Sequence, residues 1–175
     1  MASKTNKKKT LIDQMDYKLP KLRLCLVREG TSSRQATIAI RTPRDAIKYL
    51  EPLSMACEEH FVSLHLNAKH EVIGLHEVSH GTLSASLVHP REVFKAALMA
   101  NSYAILVCHN HPSGSEVKPS LEDMDTTRQL VEAGRFIGVN VIDHLIIGPG
   151  SLDDWYSLRE RHPDLWAVDQ EGASM

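Results

Sequence analysis

A chain of 175 residues with 42% hydrophobic content can bury one respectable core but not two of ordinary size. Its formal net charge of -2 gives no global reason to expect nucleic acid or an anionic membrane as partner. No apolar stretch is long enough to span a bilayer, the Thr- and Lys-rich start lacks the apolar core of a signal peptide, and Cys25, Cys57 and Cys108 are too widely spaced for a disulfide framework or a CxxC zinc site. These features fit a reducing, cytoplasmic setting.

Taken in order, the chain begins with a polar tail, residues 1–20, expected to be disordered around Lys7-Lys8-Lys9. A single domain is expected over 21–166, followed by a fraying end at 167–175. Strands are predicted at Leu22 to Val27 and at Ala36 to Ile40, separated by a turn-prone Gly-Thr-Ser-Ser run. Thr42-Pro43-Arg44-Asp45 opens a helix through Leu50, and Leu53 to Cys57 reads as a further helical turn. Phe61 to Leu66 and Val72 to Val78 alternate about a turn at Asn67 to His70 and form the clearest hairpin. The histidines at 60, 65, 70, 76 and 80 scatter across it and read as surface or partly buried residues.

His89-Pro90-Arg91-Glu92 begins a helix whose stripe of Val93, Ala96, Ala97 and Ala100 suggests close packing on a sheet. The apolar run Tyr103 to Cys108 is a buried strand, and a helix from Ser120 to about Ala133 follows, with Gly134 as its stop. Val139 to Ile147 is the last strong strand, interrupted by Asp143 and His144, and a short amphipathic piece carries Trp155, Leu158, Leu165 and Trp166. The interleaving of strands and helices, with a hairpin in the first half, predicts an α/β fold: a mixed sheet with helices on its faces.

Chemistry concentrates at one place. His109-Asn110-His111-Pro112-Ser113-Gly114 stands at the end of the buried strand, followed by Pro119-Ser120-Leu121-Glu122-Asp123. Side chains two apart on a strand point the same way, so His109 and His111 can chelate one metal ion. A catalytic zinc takes three protein ligands and keeps an open position, and Asp123 in the first turn of the next helix is the best third donor. Ser120-x-x-Asp123 is equally a capping box, as Thr42-x-x-Asp45 is with no such histidine pair in its segment. Cys108 alternates away from His109 and reads as core. Asp143 and His144 need partners if buried, through either a structural hydrogen bond or a contact that orients a metal ligand.

His-x-His-Pro-x-Gly followed by Pro-Ser-x-x-Asp resembles the signature of JAMM (MPN+) metalloprotease-like domains. Together with Val88 to Phe94 and Val141 to Gly148 it resembles the RadC (DUF2466, UPF0758) branch of that superfamily, from about Glu59 to Glu160. The resemblance implies a three-layer α/β domain related in outline to zinc deaminases, with zinc held by His109, His111 and Asp123. It also implies an acid/base carboxylate at Glu59, with Glu58 alternating to the opposite face, and a role for Ser120 in stabilising an oxyanion. The expected activity is hydrolysis of a peptide or isopeptide bond in a peptide or protein substrate.

The alternative is a non-catalytic or DNA-repair-associated accessory role, and residues before Leu22 do not read as the helix-hairpin-helix that many RadC proteins carry. His109-Asn110-His111 is not an HNH nuclease motif, whose three residues are dispersed. Other zinc-hydrolase patterns, His-Glu-x-x-His and Pro-Cys-x-x-Cys, are absent from the sequence. The segment from Pro112 to Pro119 is one residue longer than the usual family spacing. Sequence leaves the substrate and the oligomeric state open.

Overall fold

A computed structural model of the chain describes residues 39–81, 88–113 and 117–167. The strand expected at Leu22 to Val27 and most of that expected at Ala36 to Ile40 lie outside these residues, as do both expected tails except Ala167. Of the second strand, Ala39 makes an isolated antiparallel bridge to Glu71, and the Ile40 N–H donates to the His70 carbonyl at 2.9 Å.

The elements are α1 (Pro43–Ile47), α2 (Glu51–Ser54), β1 (Glu59–Leu66), β2 (Val72–Gly81), α3 (Pro90–Met99), β3 (Ala104–Asn110), α4 (Leu121–Ile137), β4 (Asn140–Ile147), β5 (Trp155–Ser157) and α5 (Leu158–Arg161), closed by a 3-10 turn (Pro163–Trp166). One five-stranded sheet has the order β2-β1-β3-β4-β5. Only β3 and β4 run parallel, joined through α4, and the remaining pairs are antiparallel. The predicted mixed sheet with helices on its faces is therefore what forms.

Alternation along β1 sorts the core into two halves. Val62, Leu64 and Leu66 pack with Ile40, Ala46, Ile47 and Leu50 on the α1 side. Phe61 packs with Val93, Phe94, Ala97, Leu130 and Val131 on the side of α3 and α4. The β3 strand is buried along its whole length, as a central strand covered on both faces must be. Full burial of each of these large apolar side chains is worth about 1.5–3 kcal/mol.

Several boundaries differ from the sequence expectation for identifiable reasons. The long helix α4 does not stop at Gly134 but runs on to Ile137 and ends on Gly138, whose φ of 80° is the left-handed cap conformation. Gly134 is instead a site of close approach. A Cβ there would lie 2.6 Å from the Val139 carbonyl oxygen and 3.1 Å from the Phe94 ring, so only glycine lets α4 sit this close to its neighbours. The helical turn expected at Leu53 to Cys57 forms earlier, over Glu51–Ser54. Trp155–Ser157 adds a short edge strand to β4, which the amphipathic pattern of that segment did not announce. No helix among the described residues is long and apolar enough to cross a membrane.

Candidate metal centre

The parallel strands β3 and β4 lie side by side within the sheet, and ligands in open α/β sheets commonly bind outside the carboxyl ends of such strands. Here β3 delivers His109, the residue after its end delivers His111, and the first turn of α4 delivers Asp123. Ligand atoms of the three residues all lie within 4.8 Å of one another, the single group of this kind among the described residues. His109 Nε2 stands 3.0 Å from His111 Nε2 and 3.3 Å from Asp123 Oδ1, and His111 Nε2 is 3.9 Å from Asp123 Oδ2. Donors around a tetrahedral zinc at 2.0–2.1 Å are separated by about 3.3 Å, so the set needs only small adjustments to close on such an ion. The longer connecting segment does not carry Asp123 away from the histidines.

Local rules place Asp123. Ser120 caps α4: its Oγ accepts from the Asp123 N–H at 3.1 Å and donates to Asp123 Oδ2 at 2.7 Å, while the Ser120 N–H donates to the same carboxylate oxygen at 2.8 Å. One carboxylate oxygen is thereby fixed by the cap, and Oδ1 is left facing His109. The single hydrogen of Ser120 is held by Asp123 in this arrangement.

A second layer settles which nitrogen of His109 can bind a cation. Thr127, one turn beyond Asp123, donates its hydroxyl hydrogen to the Asp123 backbone carbonyl at 2.6 Å. Its oxygen is then an acceptor for His144 Nδ1, also at 2.6 Å. His144 therefore carries its hydrogen on Nδ1 and accepts through Nε2 from His109 Nδ1, 2.8 Å away. The Nε2 lone pair of His109 remains, aimed at His111 and Asp123. Burial lowers the His109 pKa to about 4, against the opposing pull of the Asp123 carboxylate. Burial, and then His109, hold His144 well below the ordinary imidazole range. Burial would raise the Asp123 carboxyl, but His109 and the Ser120 hydrogen bonds outweigh it and the group is lowered. A neutral His109 beside an ionised Asp123 carboxylate is the pairing of protonation states that ligation needs.

His144 reaches this face because of a bulge. Ile105 pairs with Val141 but Val107 pairs with His144, so β4 carries one extra residue over that stretch. Strict alternation from Val141 would have sent Asp143 to the α4 face. Instead Asp143 accepts from the Ser157 hydroxyl at 2.7 Å and from the Arg159 N–H at 3.0 Å, tying β4 to β5 and α5. Burial raises its pKa to about 6 despite those bonds. The polar pair thus divides: Asp143 ties β4 to β5 and α5, and His144 meets His109.

Glu59 is the first residue of β1 and is half-buried. Phe61 pairs with His109 and its ring lies 6.1 Å from that imidazole, nearly parallel, so alternation puts Glu59 on the same face, one step nearer His111. Thr127 escaped the reading of the sequence, although its i+4 spacing from Asp123 on a helix was the available signal. One histidine of the hairpin departs from expectation: His65 is fully buried, 3% exposed, between Ser63 and Ser102 hydroxyls, and desolvation brings its pKa to about 4.

Comparison with known proteins agrees with the geometry. The family described as RadC-like JAB domain matches residues 40–163. UPF0758 proteins of Geobacillus sp. (strain WCH70), Symbiobacterium thermophilum and Listeria welshimeri are 46%, 49% and 46% identical over 123, 120 and 130 residues, or 70%, 68% and 74% of this chain. The match covers 53%, 50% and 56% of those proteins, so the chain spans about half the length of these relatives. With that coverage, the chain belongs to the RadC-like JAB domain family.

Proposed function

We propose that this domain is a zinc-dependent hydrolase acting on a peptide or isopeptide carbonyl. The observation that carries the reading is the convergence of His109 Nε2, His111 Nε2 and the Asp123 carboxylate at the carboxyl end of β3, backed by the Thr127–His144–His109 hydrogen-bond chain. When bound, zinc supplies Lewis acidity that polarises a carbonyl and makes water a nucleophile near neutral pH. The protein supplies the rest. Glu59, on the same face, is the group to take a proton from the attacking water and pass it to the leaving amine. Ser120 is the hydroxyl to steady charge on the carbonyl oxygen, once its hydrogen turns from Asp123 Oδ2. The side chains of His111 and Asp123 are 18% and 15% exposed, which leaves the cluster open to a substrate while His109 is sealed beneath.

Stoichiometric zinc in purified protein, absent from a His109→Ala, His111→Ala double variant of unchanged fold, is the expected result of metal analysis. A wild-type domain that folds normally and refuses zinc at micromolar concentration ends the proposal.

A further inference from the structure

The ladder between β1 and β3 ends at the pair Phe61 and His109. Beyond it the backbone of β3 is engaged on its other side, where the His111 N–H donates to the Ile147 carbonyl at 2.9 Å. The start of β1 is paired with β2 on one side, Glu59 with Gly81 and His60 with His80, and on the side facing β3 it is held by a side chain. The His60 N–H donates to Asn110 Oδ1 at 2.7 Å, and Asn110 Nδ2 donates to the Glu58 carbonyl at 2.9 Å. These two peptide groups are the ones that flank Glu59 on either side. Asn110 itself is 1% exposed.

We propose that Asn110 is the positioning residue for Glu59: its amide stands in for one more rung of the sheet and fixes the backbone on both sides of the carboxylate relative to the metal-site histidines. A primary amide offers one planar acceptor and two donors, so it can replace a peptide group in both directions at once. Neither a hydroxyl nor a carboxylate at the same position can accept from His60 and donate to Glu58 with the same spacing. The histidines on either side of Asn110 are themselves fixed by β3, β4 and His144, so the element that carries the ligands also grips the strand that carries the acid. The inference rests on the reading of Glu59 as the proton carrier.

The test uses the whole chain loaded with cobalt(II), whose visible absorption reports the ionisation of coordinated water as pH is varied. Glu59→Gln is expected to move the midpoint of that transition by roughly half a pH unit or more, since a neighbouring carboxylate is removed. Asn110→Ala is expected to move it in the same direction with cobalt stoichiometry unchanged, and the double variant to move no further than Glu59→Gln alone. Amide exchange at His60 should also quicken by roughly tenfold or more in Asn110→Ala. If the alanine variant does not fold, Asn110→Gln keeps a buried amide but sets it one methylene farther out, and the same displaced midpoint is expected.

A folded Asn110 variant with the wild-type midpoint, or shifts that add in the double variant, overturns the positioning role. Wild-type protein that takes up no cobalt, or a Glu59→Gln midpoint that does not move, overturns the underlying assignment of the site and this inference with it.

Discussion

The helices α1 and α4 begin with the same four-residue pattern and nearly the same local bonds. At Thr42, Asp45 Oδ2 accepts from the Thr42 N–H and hydroxyl, both at 3.0 Å, and from the Arg41 N–H at 3.2 Å. At Ser120, Asp123 Oδ2 accepts from the corresponding N–H and hydroxyl at 2.8 and 2.7 Å. What differs is the other oxygen. Among the described residues Asp45 Oδ1 meets Lys48 at 3.5 Å on an exposed surface, whereas Asp123 Oδ1 faces a sealed imidazole at 3.3 Å. A capping box therefore orients a carboxylate without giving it a task, and the task comes from what the fold sets opposite its free oxygen.

The same isosteric change at both boxes is expected to have the largest effect. Asn can still accept the capping hydrogen bonds but is a poor zinc ligand. Asp123→Asn is expected to weaken zinc binding by well over 100-fold, the upper end of what loss of an outer contact costs, while Asp45→Asn leaves it unchanged. Calorimetric zinc titration of the two variants decides, and equal losses would show that Asp123 acts only through the cap.

Acid sharpens it next. A group whose pKa falls on folding contributes stability that is present above its unfolded value and lost as pH drops through the folded one. His109 and His65, held near 4 against an ordinary 6.5, each withdraw about 3 kcal/mol from the metal-free protein between pH 7 and 4. Asp143, raised to about 6, acts with the opposite sign, since the folded state holds its proton more tightly there. Denaturant unfolding should consequently show a net loss of stability on acidification. A stability that is flat from pH 7 to 4 contradicts the buried, neutral histidines. The Asp45 box, whose carboxyl is lowered chiefly by the Arg41 N–H, should be untouched in that range.

The smallest effect separates the helices one turn further in. Thr127→Val removes the acceptor for His144 and frees the tautomer of His109, and is expected to cost roughly 10-fold to 100-fold in zinc affinity, with Thr127→Ser restoring it. Two-bond proton–nitrogen correlation spectra of the metal-free protein should show His144 protonated at Nδ1 in wild type and not uniquely so in the valine variant. Full affinity in Thr127→Val would remove the hydrogen-bond chain from the account.

Much of this site was legible because its signals are local. The apolar strand, the His-x-His spacing and the cap at Ser120 each follow from backbone period and hydrogen-bond chemistry within a few residues. Gly134 misled because a glycine permitting close packing looks the same in sequence as one ending a helix, and only the Phe94 ring and the Val139 carbonyl distinguish them. His65 read as a surface or partly buried residue, and its full burial escaped because its partners include Ser102, 37 positions away. Asn110 lay in plain view within the motif, yet its function depends on the meeting of two strand ends 50 residues apart.

Short-range geometry was enough to set the mixed α/β architecture, the end of β3 as the place where chemistry gathers, and the histidine pair together with its capped aspartate. Long-range packing chose between Asp143 and His144, because one extra residue in β4 reverses which of two neighbours faces α4. It likewise set the free Asp123 oxygen 3.3 Å from the His109 imidazole. Alternation and capping repeat along any chain, but which faces come together depends on packing that no local pattern encodes.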